Sequence, residues 1–303
     1  MPRAVVTGGA GFIGSHVVDR LLELGYEVLV VDNLTSGSRS NVPSEARMEE
    51  CDVADPGLEA ALATWHAEVV VHCAAQVSVA SSIREPFLDA RSNIVGTARV
   101  VQAAAASGCR RFIYVTTGGA LYGEPRYLPC DEAHQIVPLS PYGLSKWTGE
   151  RYLTLLAPDS MARMVLRLAN VYGPRQRADG EGGVVSIFAE RMKSGLPVEI
   201  HGDGQQTRDF VYVGDVVDAV VAAIKATRSA TVNIGTERAV SVLDLYAALA
   251  KIAGYSKPPV FAASRPGDVK HSCLAIGRAR VELDWSPLTT LEAGLAHMYA
   301  SLT

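Results

Sequence analysis

The sequence predicts an α/β protein, with a Rossmann-type doubly wound parallel sheet and a smaller α/β substrate-binding lobe. Short β-rich runs alternate with helical patterns through the first half of the chain, and several of these runs are almost continuously hydrophobic. A glycine-rich turn follows the first run. Continuously hydrophobic strands are typical of parallel sheets covered on both faces, and strand–helix alternation predicts right-handed crossovers between neighbouring parallel strands.

The predicted elements follow in chain order. Strands are predicted at Ala4–Thr7, Glu27–Asp32, Met48–Val53, Glu68–Cys73, Arg111–Thr116 and Met164–Ala169, with helices at Phe12–Leu24, Phe87–Ala106 and Pro141–Leu156. A glycine-rich and charged stretch, Gly173–Gly183, predicts a loop. Beyond it we predict helices at Val184–Ser194, Asp215–Ala226, Val242–Ala253 and Thr290–Ser301, and strands at Val198–His201, Asp209–Val213 and Thr231–Ile234. These patterns predict a main domain in residues 1–172 and a lobe in 173–303, with segments around 208–234 returning to the main sheet.

Composition limits the classes of function. The net charge is −4 and no basic block stands out, which argues against nucleic-acid and anionic-membrane partners. The five cysteines are scattered without a CxxC pair, which indicates reduced thiols with neither a disulfide framework nor a metal site. The chain enters its first strand without a signal-peptide pattern, and its apolar stretches are short. We therefore expect a soluble cytoplasmic protein.

The first strand leads into a turn that is typical of dinucleotide binding. Gly8 permits a tight turn, Gly11 lets the backbone approach a pyrophosphate, and Gly14 lets the following helix pack closely on the strand. The first residues of that helix, Phe12 and Ile13, offer backbone N–H groups to the phosphates. A glycine pattern alone is weak evidence, but here it lies between a strand and a helix, the context that supports it.

The second strand ends in Asp32, where a carboxylate accepts a hydrogen bond from the adenosine ribose. Because it would repel a 2′-phosphate, Asp32 predicts NAD as the cofactor. Asp52 and Val53, at the end of the third predicted strand, are candidates for contacting the adenine. A single aspartate at such a position is also often only a cap.

A second motif begins a helix near residue 140. Ser140 is the predicted N-cap and Pro141 the first helical residue. Tyr142 and Lys146 are four residues apart and share one helical face. An ammonium group beside a tyrosine favours the phenolate, so we expect a lowered pKa for Tyr142 and a role as catalytic base. Without the glycine-rich turn, a solvated Tyr–Lys pair would be the simpler interpretation.

Taken together, the motifs resemble the extended short-chain dehydrogenase/reductase family, most closely its UDP-glucose 4-epimerase group. The matching segments are Thr7–Gly14, Asp32–Leu34, His72–Ala75, Asn93, Tyr114–Gly123, Tyr142–Lys146, Arg167–Asn170, Thr207–Val213 and Arg265–Asp268. They span most of the chain. The resemblance implies an NAD-binding domain, a nucleotide-sugar-binding lobe, and a homodimer formed through the helices Phe87–Ala106 and Pro141–Leu156.

The resemblance also implies roles for individual residues. The family's catalytic Ser or Thr corresponds to Thr117, with Thr116 as the alternative, beside Tyr142 and Lys146. The implied cofactor contacts, in addition to the glycine-rich turn and Asp32, are Asn33, Asp52, Val53, Cys73, Ala74, Ala75, Asn93, Val115, Tyr142, Lys146 and Leu168. The implied substrate contacts are Thr117, Tyr142, Asn170, Ile200, His201, Arg208, Arg265 and Asp268, with the arginines holding phosphate oxygens.

One absence favours epimerisation. Related dehydratases and decarboxylases carry an acidic residue next to the catalytic Ser or Thr, whereas Gly118 and Gly119 follow Thr117 here. We therefore expect interconversion of UDP-glucose and UDP-galactose by transient oxidation at C4 with bound NAD. The small Ser272 leaves open a UDP-N-acetylglucosamine 4-epimerase, and Arg175 with Arg177 leaves open a UDP-glucuronate 4-epimerase. Another nucleotide-sugar reductase or epimerase and a non-catalytic NAD-binding sensor are the remaining alternatives.

Overall fold

The main sheet contains seven parallel strands, which confirms the predicted doubly wound parallel sheet. We describe the protein from a computed structural model, for residues 1–178, 183–263 and 269–302. The strands of this sheet are β1 (Arg3–Thr7), β2 (Glu27–Asp32), β3 (Arg47–Glu50), β4 (Val69–His72), β5 (Arg111–Thr117), β6 (Ala162–Leu168) and, numbered tenth along the chain, β10 (Ala230–Ile234). Their spatial order is β3-β2-β1-β4-β5-β6-β10. The order reverses between β1 and β4, where such sheets bind ligands beyond the carboxyl ends of their strands.

Helices cover both faces of the sheet. They are α1 (Phe12–Glu23), α2 (Gly57–Trp65), α3 (Val79–Arg84), α4 (Pro86–Ala90), α5 (Gly96–Ala106), α6 (Pro141–Leu156), α8 (Val213–Lys225) and α10 (Gly277–Leu283). One hydrophobic core packs α1, α8 and α10 against one face, and a second packs α2, α5 and α6 against the other. Burial on both faces explains why the central strands are hydrophobic throughout.

The smaller lobe has its own core. Its elements are β7 (Asn170–Tyr172), α7 (Val184–Lys193), β8 (Glu199–His201), β9 (Thr207–Tyr212), β11 (Ala239–Ser241), α9 (Val242–Ala253), β12 (Val260–Ala262) and α11 (Leu291–Ser301). They form a three-stranded sheet in the order β11-β9-β7 and a two-stranded sheet of β12 and β8. Buried residues of α7, α9 and α11, such as Phe188, Leu245 and Leu295, pack together beneath these sheets.

Most predicted elements are present, with small differences at their ends. The third strand ends at Glu50, so Asp52 and Val53 lie in the turn after it rather than inside it. The helix predicted at Phe87–Ala106 consists of α4, a π-helical turn at Arg91–Val95 and α5. In the described part of the chain, none of the helices is long and apolar enough to cross a membrane.

The chain returns to the main sheet between the two parts of the smaller lobe, since β7 to β9 precede this return and β11 to α11 of the lobe follow it. β10 pairs with β6 in parallel from Ala230 to Ile234, at the edge opposite β3. The helix that precedes β10, α8, packs against the same sheet. The division of the chain into residues 1–172 and 173–303 stays a prediction.

Candidate active site

The glycine-rich turn connects β1 to α1 and leaves very little space for side-chain atoms. Gly8 has φ +69°, and a Cβ on it would lie 2.6 Å from the Ala74 backbone nitrogen. A Cβ on Gly14 would lie 2.1 Å from the Gly8 carbonyl oxygen, so both positions need glycine. Among the described residues, no side chain caps the first turn of α1. The N–H groups at the start of a helix then suit an anionic ligand such as a pyrophosphate.

Asp32 is held rigidly at the end of β2. Its carboxylate accepts hydrogen bonds from the backbone nitrogens of Ala10, at 3.0 Å, and Leu34, at 2.8 Å. Beside it, Asn33 donates to the Asp52 carboxylate at 3.0 Å. An oriented carboxylate next to a narrow glycine turn fits the ribose and pyrophosphate of a dinucleotide. The residues therefore fit NAD, although the contact predicted for each of them stays a prediction.

A buried hydrogen-bond relay supports the other side of the turn. Thr97 Oγ1 donates to the Asn93 carbonyl at 2.6 Å, so His72 Nε2 must donate to Thr97 Oγ1 at 3.0 Å. His72 Nδ1 then accepts from Thr7 Oγ1 at 2.6 Å, and the Thr7 oxygen accepts from the Ala74 nitrogen at 3.3 Å. Burial keeps the pKa of His72 well below its usual value, which leaves the ring neutral. The relay fixes the turn after β4 against Gly8.

Asn93 joins this turn to α6. Its side-chain nitrogen donates to the Gln76 carbonyl (2.9 Å), the Asp89 carboxylate (3.0 Å) and Ser145 Oγ (3.1 Å). Its side-chain oxygen accepts from the Gln76 nitrogen at 2.9 Å. All of these contacts are internal, so they give Asn93 a structural task beneath the Cys73–Ala75 turn. Its predicted contact with the cofactor stays a prediction.

Other predicted cofactor residues contribute mainly backbone or packing. Burial raises the pKa of the Cys73 thiol to about 12, so that thiol is neutral. The Val115 carbonyl accepts from Lys146 Nζ at 2.9 Å, and the Leu168 carbonyl accepts from the Gly118 nitrogen at 2.8 Å. Val53 is buried against α5. These contacts hold the ends of β5 and β6 beside the start of α6.

The helix α6 begins as predicted. Ser140 caps it by accepting a hydrogen bond from the Gly143 nitrogen at 3.2 Å, and Pro141 is its first residue. Lys146 is only 2% exposed. Its ammonium group lies 4.4 Å from the centre of the Tyr114 ring. Burial lowers the pKa of Lys146 to about 8, because the charged form has lost its hydration.

The expected lowering of the Tyr142 pKa was wrong for this structure. Enclosure by protein raises the pKa of Tyr142 above its usual value, and the nearby Asp89 carboxylate raises it further. A hydrogen bond with the Thr117 side chain acts in the opposite direction. The loss of phenolate hydration outweighs this favourable hydrogen bond, so the phenol is protonated at neutral pH.

The two candidate threonines have different surroundings. The Thr117 side chain lies close enough to the Tyr142 phenol to lower its pKa, and Thr117 Oγ1 accepts a hydrogen bond from the Ala120 nitrogen at 3.3 Å. Thr116 is 3% exposed, and its hydroxyl oxygen has no hydrogen-bond partner among the described residues. Successive residues of a strand point to opposite faces. The geometry therefore places Thr117, and not Thr116, beside Tyr142.

A polar space lies next to Thr117. A Cβ built on Gly119 would lie 3.6 Å from Asn170 Oδ1, 3.8 Å from Thr117 Oγ1 and 3.9 Å from Ser272 Oγ. Three side chains from distant parts of the chain therefore converge on one point beside Tyr142. This arrangement suits the hydroxyl groups of a sugar.

The smaller lobe contains a cavity of about 900 Å³, lined by His201, Gly202, Asp203, Gln206, Arg208, Phe261, Ala262, Ala263, Val269 and Lys270. Of the predicted substrate residues, His201 and Arg208 line it, whereas the side chain of Ile200 is buried in the core of the lobe. Arg208 Nη1 donates to the Thr207 carbonyl at 2.9 Å. The predicted contacts Arg265 and Asp268 lie outside the described residues. The cavity has the size expected of a ligand site.

The contacts of Arg175 and Arg177 differ from those expected if the two arginines bound a sugar carboxylate. Arg175 pairs with Asp19 of α1 at 2.8 Å, and Arg177 Nη1 donates to the Ser36 carbonyl at 3.0 Å. Both partners belong to the dinucleotide side of the molecule. These contacts give no support to a UDP-glucuronate specificity.

Sequence reasoning missed several supporting residues. Asp89 precedes Asn93 by one helical turn, and that spacing could have indicated a shared face. Glu150 and Arg167 form a buried ion pair at 2.7 Å, and Arg167 also donates to the Tyr122 hydroxyl at 3.1 Å. No short sequence motif predicts either of these two pairings. Among the described residues there is also no group of three His, Cys, Asp or Glu side chains placed to hold a metal ion.

Comparisons with known proteins agree with this geometry. The sequence pattern of the NAD-dependent epimerase/dehydratase family matches residues 4–235. A UDP-glucose 4-epimerase of Mycolicibacterium smegmatis is 41% identical over 307 residues, covering 97% of this chain and 96% of that protein. The crystal structure of a Thermotoga maritima UDP-glucose 4-epimerase with UDP-glucose superposes with a TM-score of 0.97 at 45% identity, covering 99% of this chain and 98% of that chain. A Thermus thermophilus UDP-glucose 4-epimerase in complex with NAD gives a TM-score of 0.93 at 38% identity, with the same coverage of both chains. The chain therefore belongs to the NAD-dependent epimerase/dehydratase family.

Proposed function

We propose that this protein is a UDP-sugar 4-epimerase that interconverts UDP-glucose and UDP-galactose with bound NAD. The observation that carries the proposal is the grouping of Thr117, Tyr142 and Lys146 between the dinucleotide turn and a polar pocket. The Thr117 side chain lies close enough to the Tyr142 phenol to lower its pKa, and Lys146 lies one helical turn further on α6. This is the arrangement that proton transfer at a sugar hydroxyl requires. When bound beside these residues, NAD would supply the redox chemistry, which is hydride transfer to and from C4 of the sugar.

Tyr142 serves as the base that removes the proton of the 4-hydroxyl group and later returns it. Thr117 donates a hydrogen bond to the same sugar oxygen, which stabilises the charge that develops on it. The Thr116 hydroxyl is buried in the protein and takes no part. Because burial raises the pKa of Tyr142, the phenolate is a strong base that is formed only when a positive charge is close.

Lys146 supplies a positive charge and fixes the cofactor. An ammonium group has three donors, and the Val115 carbonyl uses one of them at 2.9 Å. The remaining donors would hold the hydroxyl groups of the nicotinamide ribose. We further propose the cofactor contacts implied by the family resemblance for Gly8, Gly11, Phe12, Ile13, Gly14, Asp32, Asn33, Asp52, Val53, Cys73, Ala74, Ala75, Asn93, Val115 and Leu168.

The polar space around Gly119 holds the sugar, and the cavity of the smaller lobe holds the UDP moiety. Asn170, Thr117 and Tyr142 contact the sugar, while His201 and Arg208 border the nucleotide, with Ile200 acting through its backbone. Arg265 and Asp268 complete this proposed set. The 4-keto sugar rotates about its diphosphate link, which presents the opposite face of the sugar to the same cofactor.

The surroundings of Tyr142 favour epimerisation over dehydration. Gly118 and Gly119 follow Thr117, where related dehydratases have an acid. The Asp89 carboxylate affects the Tyr142 pKa, but it is 1% exposed and accepts hydrogen bonds from Gln76 and Asn93. It is therefore a supporting group behind the tyrosine. Ser272 is small and borders the sugar space, so an N-acetylated sugar is the second candidate substrate.

We also propose a homodimer in the cytoplasm. Apolar side chains of α4 and α6 are exposed, with Phe87 at 90% and Leu155 at 76%. On α6, Leu144, Tyr152 and Leu155 lie on one helical face. An exposed apolar face of this kind marks a protein interface. A molar mass of one monomer in light scattering would contradict the dimer.

The proposed cytoplasmic location rests on the cysteines. All five are unbridged, as in proteins of a reducing compartment.

The proposal is tested by proton NMR on the purified protein with no added cofactor. UDP-galactose, UDP-N-acetylgalactosamine and UDP-glucuronate are each incubated separately. We expect the C4 epimer of UDP-galactose to form without net accumulation of reduced cofactor, and Tyr142→Phe to be inactive. Stoichiometric consumption of reduced cofactor would instead indicate a reductase. No turnover of any UDP-sugar with added NAD would point to a sensor or to another nucleotide.

A further inference from the structure

Residues 173–177 cross from one side of the dinucleotide turn to the other. They follow β7 and make three polar contacts with elements of the main domain. The Pro174 carbonyl accepts a hydrogen bond from His16 at 3.0 Å, and Arg175 pairs with Asp19 at 2.8 Å. Arg177 donates to the Ser36 carbonyl at 3.0 Å. We call residues 173–177 the crossing segment.

The first two contacts are made with α1, immediately behind the phosphate-facing end of the helix. His16 is one turn from Phe12, and their rings touch edge to face at 6.1 Å between centroids. Asp19 is three residues further on, so it lies on the same helical face as His16. Burial lowers the pKa of His16, and its Nε2 must donate because a carbonyl oxygen only accepts.

The third contact is made with the loop after β2. That loop folds back over the glycine-rich turn, because the Ser38 nitrogen and the Asn41 side chain both donate to the Ala10 carbonyl at 3.0 Å. Ser36 lies in the same loop, between Asp32 and Ser38. The crossing segment therefore ties this loop to α1, and the phosphate-facing turn lies between them.

The crossing segment is itself fixed to the smaller lobe. Gln176 Nε2 donates to the Val171 carbonyl at 3.0 Å, and Ser186 of α7 donates to the Arg177 carbonyl at 2.8 Å. Arg175 has φ +66°, a left-handed conformation that costs a non-glycine residue free energy. The ion pair and the neighbouring hydrogen bonds hold this strained residue in place.

We propose that the crossing segment retains the dinucleotide, with the Arg175–Asp19 pair as one of its links. In this proposal the loop after β2 and α1 separate when NAD is released, and the contacts of the crossing segment with both resist that separation. The inference rests on the proposed function, because an epimerase regenerates its cofactor in each cycle and gains from slow release. It assigns to Arg175 a task at the cofactor in place of a sugar carboxylate.

The test uses the holoenzyme and Asp19→Asn, which removes the charge and keeps the shape. The rate of NAD release is measured in the absence of UDP-sugar, by trapping the released cofactor after dilution. We expect release about fivefold faster than in the wild type, the scale of losing a partly exposed ion pair. With saturating NAD added, kcat and the KM for UDP-galactose should equal the wild-type values.

Two further variants sharpen the test. The charge swap Asp19→Arg with Arg175→Asp should return the release rate to within about twofold of the wild type, because the attraction is restored. Arg20→Ala removes the exposed Arg20–Glu23 pair on the same helix and should leave release unchanged. The proposal would be overturned if Asp19→Asn released NAD at the wild-type rate. It would also be overturned if this variant had an altered KM for the UDP-sugar under saturating NAD. NAD release is measured without UDP-sugar. The release rates therefore test this proposal even if the protein shows no epimerase activity.

Discussion

Replacing Lys146 by methionine should change how protein stability depends on pH. The native-state pKa of Lys146 is about 8, against 10.5 for the ordinary side chain, and burial is the main cause. One pKa unit corresponds to about 1.4 kcal/mol, so keeping this charge buried costs about 3 kcal/mol at pH 7. Methionine fills a similar volume without a charge, but it loses the hydrogen bond to the Val115 carbonyl, worth about 1–2 kcal/mol. We expect Lys146→Met to be inactive and about 1–2 kcal/mol more stable at pH 7.

The direction of the pH effect follows from proton binding. The native protein releases the Lys146 proton near pH 8, whereas the unfolded chain keeps it until near pH 10.5. The unfolded state therefore binds more protons between these values, and the stability of the wild type rises with pH across that window. Methionine does not titrate, so the advantage of the variant should shrink by about 2 kcal/mol between pH 7 and pH 9.5.

The measurement is urea unfolding of both cofactor-free proteins at a series of pH values. All other titrating groups are shared, so the difference between the two unfolding free energies isolates Lys146. A difference that stays constant to within about 0.5 kcal/mol, smaller than the expected change, would refute a lowered pKa for this lysine.

Three further outcomes are expected. Turnover should rise with pH from 6, because the raised pKa of Tyr142 leaves little phenolate, and should fall again as Lys146 loses its proton near pH 8; a pH–rate profile that is flat from 6 to 9 would contradict this. Glu150→Gln should destabilise the protein by about 3 kcal/mol in urea unfolding, since it leaves the Arg167 guanidinium buried without its counter-charge; equal stability would show that the pair is unimportant. Gly119→Val should lower kcat/KM by about tenfold or more with bound NAD and thermal stability retained, because the side chain fills the sugar space; wild-type kinetics would place the sugar elsewhere.

The parts of the site predicted from sequence are those with local signals. Gly8, Asp32 and the Tyr142–Lys146 pair each belong to a short motif on one turn or one helix, and the structure places them around one region. The third strand and the long predicted helix differ only at their ends or by a π-helical turn. Such boundary shifts are the usual error of pattern-based prediction.

The parts that were missed depend on residues far apart in the chain. Thr7 meets His72 across 65 positions, and Arg175 meets Asp19 in a different domain of the prediction. The error in the Tyr142 pKa has the same origin. The sequence shows the neighbouring lysine, but the enclosure that raises the pKa is produced only by the folded chain.

The position of β10 has a consequence for how the protein is made. The outer edge of β6 is covered only when residues 230–234 have been synthesised, after about half of the elements of the smaller lobe. Until then β6 presents unpaired backbone groups, which are a template for aggregation. A shortened chain ending near residue 172 should consequently aggregate and fail to give a nucleotide-binding fragment. In evolution, the two halves of the chain could be exchanged with relatives only if this late strand were exchanged with them.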